Sequence, residues 1–322
     1  MDIEYLLLLQ NFREASSGVL DNFFMVVTSL GGSTAMILIA MLVYCMNKKL
    51  GSYLIFNGLM GSLLNGFLKI SFCVYRPWMR DLRVVPVAKA MPGATGYSFP
   101  SGHACIATAV WGGLAYKERK RKWLSFGCCV VWFLVLFSRN YLGVHTPQDV
   151  IVSTLVGILL LWLTTKLEQA LEKNPRLDVI VAGVIFAAGL LLMIYASCKS
   201  YPLDMVDGKY LADPEVMVID SFAAAGAAIG FAFGWLLERR KIDFVMEDSR
   251  KYRVVYFAVS IISMLLVKEL TKKIAFLLLA DRYAKAVEMG VVVFWLIGMM
   301  PLLAKMLQKV TVRSSGDSPL KE

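Results

Sequence analysis

The chain has 322 residues, 58% hydrophobic and 18% charged, with 34 Lys and Arg against 24 Asp and Glu for a net charge of +10. That mix lies well off the usual globular composition, and the apolar residues come in blocks near the 20 or so residues a bilayer span needs, which excludes an ordinary soluble domain. No soluble basic stripe interleaved with aromatics is visible, so nucleic-acid binding is excluded and the positive charge reads as topology signal and contact with anionic lipid headgroups.

Residues 1–10 are acidic and lack the basic region of a cleavable signal peptide. Residues 3–15 predict a short interfacial helix with Leu6 to Leu9 facing lipid, making 1–20 a first segment. Candidate spans follow at 21–46, 50–71, 101–117, 123–141, 147–166, 178–198, 217–237, 253–271 and 288–308, the third marginal and the eighth interrupted by charge. These predict an all-α polytopic membrane bundle of about nine helices, ending in a polar, disordered tail at 313–322. The loop 77–98 carries Trp78, Arg80, Arg83, Lys89 and Tyr97 and must fold over one mouth of the bundle, to grip a headgroup or anchor at the interface. Gly226, Gly230 and Gly234 recur every four residues, which permits close helix contact; packing within the bundle is favoured over a homodimer. The six cysteines show no metal-ligand spacing. Cys73 and Cys198 fall near the same face, but burial as free thiols is the ordinary case.

Orientation follows from the basic residues. Placing 48–49, 117–122, 166–176, 239–253 and the chain from Lys305 onward inside accounts for 20 of the 34 Lys and Arg residues. The N-terminus then lies outside with the loops after the second, fourth and, through residue 101, before the third span. The lack of any Asn-x-Ser/Thr sequon favours a bacterial source.

The only two histidines, His103 and His145, sit among cations and helix starts. Lys69 stands seven residues before Arg76-Pro77, two helical turns, so the two cations share a face until Pro77 disturbs the helix. Lys69 alone also reads as a lysine snorkelling to the interface. Ser101, after Pro100, is an N-cap residue that opens a helix, whose free N–H groups suit an anion. Gly102 allows close backbone approach, and His103 lies in the first turn. Ser138-Arg139 precedes His145 and Asp149. Arg139 offers a planar charged fork, while Thr146 and Asp149 also read as a capping box around Pro147. Both histidines have these neighbours rather than a clustered Asp/Glu set, so no metal site and no cofactor are expected.

Lys69-x6-Arg76-Pro77, Pro100-Ser101-Gly102-His103 and Ser138-Arg139-x5-His145-x3-Asp149, in this order, resemble the type 2 phosphatidic acid phosphatase superfamily, which includes glucose-6-phosphatases and vanadium haloperoxidases. The resemblance implies a catalytic membrane core over 21–170, with 171–312 as additional C-terminal helices. It implies that Lys69, Arg76, Ser101, Gly102 and Arg139 bind phosphate. It further implies that His103 protonates the leaving oxygen and that Asp149 orients His145, which attacks phosphorus to form a phosphohistidine. The expected activity is metal-independent hydrolysis of a lipid phosphate or diphosphate, of the undecaprenyl diphosphate, phosphatidylglycerophosphate or phosphatidate class, at the outer face of a bacterial cytoplasmic membrane. Alternatives are a phosphotransferase using the same intermediate, a phosphatase of a water-soluble sugar phosphate, and a non-catalytic scaffold or transporter.

Overall fold

A computed structural model describes residues 2–206 and 208–314. Of the expected tail, 315–322 lie outside the described residues; 313 and 314 close the last helix. The chain is helical almost throughout: α1 (Asp2–Ala15), α2 (Asp21–Ser29), α3 (Ser33–Met46), α4 (Lys48–Phe72), α5 (Pro77–Arg80), α6 (Gly102–Ala107), α7 (Gly113–Lys117), α8 (Lys122–Tyr141), α9 (Pro147–Lys173), α10 (Leu177–Cys198), α11 (Pro214–Leu237), α12 (Arg250–Leu278), α13 (Asp281–Phe294) and α14 (Met300–Ser314). A two-residue antiparallel ladder, β1 (Met205–Val206) with β2 (Lys209–Tyr210), is the strand content of the described residues.

Seven helical segments are long and apolar enough to cross a membrane, and eight if the bent pair α2–α3 counts as one. The third expected segment, 101–117, is α6 and α7 joined through a π turn at Thr108–Gly112. At 1.5 Å per residue it reaches only about 24 Å, short of a 30 Å hydrocarbon core. The first expected span is not one straight helix: α2 and α3 meet at 53° across Leu30-Gly31-Gly32. A Cβ at Gly31 would meet Val135 at 2.5 Å and the His103 carbonyl at 3.1 Å, so the glycine lets this bend press against α6 and α8. Trp111 Nε1 donates to the Leu30 carbonyl at 3.0 Å and holds the bend in place.

Helix starts carry side-chain caps where the sequence offers them. Asn47 Oδ1 accepts from the Leu50 N–H at 3.1 Å, Asp213 precedes Pro214 at the first turn of α11, and Ser249 caps α12. The glycine stripe of α11 is filled from within the chain. A Cβ at Gly226 would strike the Ala286 carbonyl of α13, and one at Gly230 the Gly290 carbonyl. Backbone contact this close permits packing on a scale side chains cannot reach in lipid.

One end of the bundle gathers the basic clusters. Lys48 pairs with Glu238 at 2.5 Å, Lys117 with Glu168, and Arg240 with Asp178 at 2.6 Å. A cavity of about 850 Å³ opens there between α4, α9 and α11, lined by Tyr53, Phe56 and Trp235 and by the Lys48–Glu238 and Lys117–Glu168 pairs. The histidines lie at the other end, near the close of α4 and the start of α9.

Candidate active site

α4 stops before Arg76. Cys73 adopts a left-handed conformation (φ 49°) and ends the helix, so Lys69 is helical while Arg76 sits in extended chain ahead of α5. The expectation of one shared helix face for the two cations is corrected here: the helix is broken at Cys73, four residues before Pro77, and the turn, not the helix period, brings Arg76 to His145. Lys69 Nζ donates to the Tyr97 carbonyl at 2.8 Å. Arg76 is 3% exposed and its fork is filled: Nε donates to the Gly96 carbonyl at 3.1 Å, Nη2 to the Thr95 carbonyl at 3.0 Å, and Nη1 to the Val144 carbonyl at 2.9 Å.

Arg76 Nη1 also lies 2.9 Å from His145 Nε2. A guanidinium only donates, so Nε2 presents its lone pair and the ring proton belongs on Nδ1. Nδ1 faces Asp149 Oδ2 at 3.3 Å and Ser98 Oγ at 3.4 Å. Burial, and after it the charges of Arg76, Arg139 and Lys69, hold the His145 ring well below its usual value of 6.5, so it is neutral at pH 7.

Asp149 serves both expected purposes at once. Its Oδ2 accepts from the Thr146 N–H at 2.9 Å and from Ser98 Oγ at 2.5 Å, while its own N–H donates to Thr146 Oγ1 at 3.5 Å. The capping box of α9 and the partner of His145 are therefore the same carboxylate. The loop from α8 is pinned by Asn140, whose Nδ2 donates to the His145 carbonyl at 2.9 Å.

Ser101 opens α6 as its cap, Oγ accepting from the Ala104 N–H at 3.4 Å, and its own N–H donates to the Asp149 carbonyl at 3.1 Å. Ser153 Oγ donates to the Ser101 carbonyl at 2.6 Å, tying α9 to the start of α6. A Cβ on Gly102 would find nothing nearer than Asn65 Oδ1 at 3.9 Å, and His103 follows in the first turn beside Gly31 and Gly32. Arg139 is 2% exposed. Its Nη1 donates to Thr28 Oγ1 at 2.6 Å, and its Nε has no hydrogen-bond partner among the described residues. Ser138 Oγ donates to the Val135 carbonyl within its own helix and does not touch Arg139.

Ser98, Thr28, Asn140 and Ser153 were not singled out from the sequence. Each is a lone polar residue without motif spacing; the folding of distant segments makes Ser98, Thr28 and Ser153 partners, while Asn140 closes on His145 five residues away. The bases of the loop 77–98 pair with the N-terminal helices. Arg80 pairs with Asp2 and Arg83 with Glu4, both at 3.0 Å, while Lys89 donates to Asn22. The loop is stitched to α1 and α2, and Tyr97 is fully buried. On α1 itself Leu6 points inward and Leu8 outward, so the Leu6 to Leu9 run does not share one face. All six cysteines are free. Among the described residues no group of three or more His, Cys, Asp or Glu side chains is placed to hold a metal ion.

The chain resembles several known phosphatases over part of its length. The chain is 30% identical over 129 residues to the undecaprenyl-diphosphatase of Sulfolobus acidocaldarius, covering 40% of this chain and 60% of that protein. It is 39% identical over 93 residues to phosphatidylglycerophosphatase B of Haemophilus influenzae, covering 26% and 36% respectively. It is 24% identical over 227 residues to human glucose-6-phosphatase 2, covering 58% and 62%. The chain thus spans less than two thirds of the length of each of these relatives. No solved structure matches. Residues 48–173 match the model described as PAP2 superfamily, and residues 222–311 a second one described as PAP2 superfamily phosphatase, transmembrane extension. The first match encloses every motif residue from Lys69 to Asp149, and with the apolar helices of the second it places the chain in the PAP2 superfamily as an integral membrane protein.

Proposed function

We propose that the chain is a metal-independent phosphatase that hydrolyses a lipid phosphate or diphosphate through a phosphohistidine on His145. The observation that carries this reading is the buried pair of Arg139, with its unpartnered Nε, and His145, with its lone pair on Nε2. An anionic oxygen would satisfy the first, and a phosphorus atom beside it would meet the second. Lys69, Arg76 and Arg139 supply the positive charge that a phosphoryl group spreading its charge over three oxygens requires, and the N–H groups at the start of α6 add donors behind Ser101 and Gly102.

The reaction then runs in two displacements. Nε2 attacks phosphorus, the P–N bond forms as the bond to the leaving oxygen breaks, and His103 gives that oxygen a proton; burial and the charges of Arg139, Arg76 and Lys69 hold its ring at about 3, so it takes up that proton only with the anionic phosphoryl group bound among those cations. Water next attacks the phosphohistidine, the P–N bond breaks, and His103 takes back a proton. Asp149 and Ser98 keep the Nδ1–H tautomer throughout and stabilise the imidazolium character that develops as Nε2 is phosphorylated. The relatives' names, undecaprenyl-diphosphatase and phosphatidylglycerophosphatase B, support this substrate class, and the basic residues gathered at the opposite end of the bundle support an outer-face site, in our reading that of a bacterial cytoplasmic membrane.

Rapid acid or base quench of the purified chain with a 32P-labelled lipid phosphate tests this. A base-stable, acid-labile phosphoenzyme is expected in the native protein and not in His145→Ala, which should also lose turnover. Native-like turnover by His145→Ala would overturn the mechanism.

A further inference from the structure

The two buried arginines of the site are held in different ways. Arg76 is locked by three backbone carbonyls, those of Gly96, Thr95 and Val144. Arg139, in the last turn of α8, donates from Nη1 to the Thr28 hydroxyl at 2.6 Å, while its Nε has no hydrogen-bond partner among the described residues. A guanidinium is a rigid planar fork, so holding Nη1 also sets the direction in which the Nε–H points. Thr28 is itself buried, in the last turn of α2. The other end of α2 is fastened to the same part of α8: Tyr141 Oη donates to Asp21 Oδ1 at 3.0 Å, and the Phe24 ring centre lies 4.3 Å from that of Tyr141. Just after Thr28 the chain turns. The Gly31 N–H donates to the Thr28 carbonyl at 3.0 Å, and a Cβ at Gly32 would lie 4.0 Å from His103 Nε2. The stretch 28–32 therefore touches Arg139 at one end and passes His103 at the other, although it precedes the 48–173 region and carries none of the motifs.

We propose that Thr28 is a positioning residue of the phosphatase, acting through Arg139, and that the turn between α2 and α3 forms one wall of the active site; this rests on the phosphatase reading above. The Thr28 hydroxyl occupies Nη1, and Nε stays free to donate to a phosphoryl oxygen. A donor aimed before the substrate arrives needs no reorganisation when charge develops on that oxygen. Without the hydroxyl, a further N–H of a buried cation is left unpaired, which favours any side-chain conformation that finds another acceptor and turns Nε away. The effect falls on the phosphoryl group and not on the lipid chain, because Arg139 is where Thr28 meets the site.

The test uses the purified full-length protein, whichever of phosphatidylglycerophosphate, phosphatidate and undecaprenyl diphosphate it turns over fastest, and vanadate, a probe of the phosphoryl cage that carries no lipid chain. Thr28→Val keeps the shape of the side chain and removes the acceptor. It should lower kcat/KM and raise the vanadate inhibition constant together, each by about 10- to 100-fold, the scale of a hydrogen bond to a charged group. Thr28→Ser keeps the oxygen and should return most of both losses. On the residual rate of Arg139→Ala, adding Thr28→Val should cost less than about threefold more, because the group it positions is gone. Should Thr28→Val fail to fold, Thr28→Ala takes its place under the same expectations. A native vanadate constant without the hydroxyl, equal losses in Thr28→Val and Thr28→Ser, or a full additional loss in the Arg139→Ala background would each overturn the role of Thr28 and leave the phosphatase standing. Hydrolysis of none of the three lipids by the native protein would overturn the phosphatase reading and this inference with it.

Discussion

At the scale of single residues, the tautomer of His145 is the most exposed point of the mechanism. Arg76 Nη1 at 2.9 Å from Nε2, and Asp149 Oδ2 at 3.3 Å from Nδ1, together put the proton on Nδ1. Asp149→Asn can present a donor to Nδ1 and so favour the opposite tautomer, which removes the nucleophile without removing the ring. A loss of about 10³–10⁴-fold in kcat is expected, with a measurable residue, by analogy with the carboxylate of a serine protease triad. The same change breaks the capping box of α9 and should lower stability by about 1 kcal/mol. Loss of stability with native kcat would show that the carboxylate only caps the helix. The pH profile is a second check. Protonation of Nε2 destroys the nucleophile, and because burial and the neighbouring cations depress the ring's value below 6.5, the rate should fall only as pH drops below that figure. An acid limb in kcat/KM above pH 6.5 that follows His145 would contradict this assignment.

At the scale of elements, the contact of α11 with α13 depends on glycine. Gly230→Ala puts a methyl group into the Gly290 carbonyl, and backbone on both sides cannot give way as a side chain would. Destabilisation of about 1–3 kcal/mol is expected from such overpacking, seen as a lower Tm in detergent. Gly183→Ala on α10, where nothing lies within 4 Å of the added methyl, is the control and should be neutral or slightly stabilising. Equal behaviour of the two variants would mean that the stripe is not a packing surface. The bend between α2 and α3 has a related cause, since Gly31 leaves room for His103 and Val135; its Gly-Gly pair was visible in the sequence, but a continuous hydropathy block concealed the change of direction.

At the scale of the whole molecule, the question is which leaflet supplies the substrate. With the histidine end outside, a cysteine at the exposed Lys89 should react with an impermeant reagent on intact cells, and one at the exposed Lys120 only after permeabilisation. Tyr97, though on the same loop, is buried and should stay unlabelled from either side. The reverse pattern would move the site to the cytoplasmic leaflet. Turnover should also survive excess chelator and be inhibited by vanadate, whose trigonal-bipyramidal form matches the transferring phosphoryl group. A strict magnesium requirement would contradict the metal-independent route.

The helical class, the span positions and the candidate residues were legible in the sequence because hydropathy blocks, caps and ordered motifs are local properties of the chain. Lys69 to Asp149 could be picked out by type and spacing alone. What spacing does not carry is the route of the backbone between them. A left-handed Cys73 ended α4 early and returned Arg76 to His145, a result no helix period contains. Ser98, Thr28 and Ser153 became partners only when segments up to 111 residues apart met. The bases of the loop 77–98 were captured by Asp2, Glu4 and Asn22, so their charge is turned toward the N-terminal helices instead of the site. The close approach of α11 to α13 at Gly226 and Gly230 was likewise decided in space, because electrostatic and packing energies depend on distance there, which the order of residues along the chain does not determine.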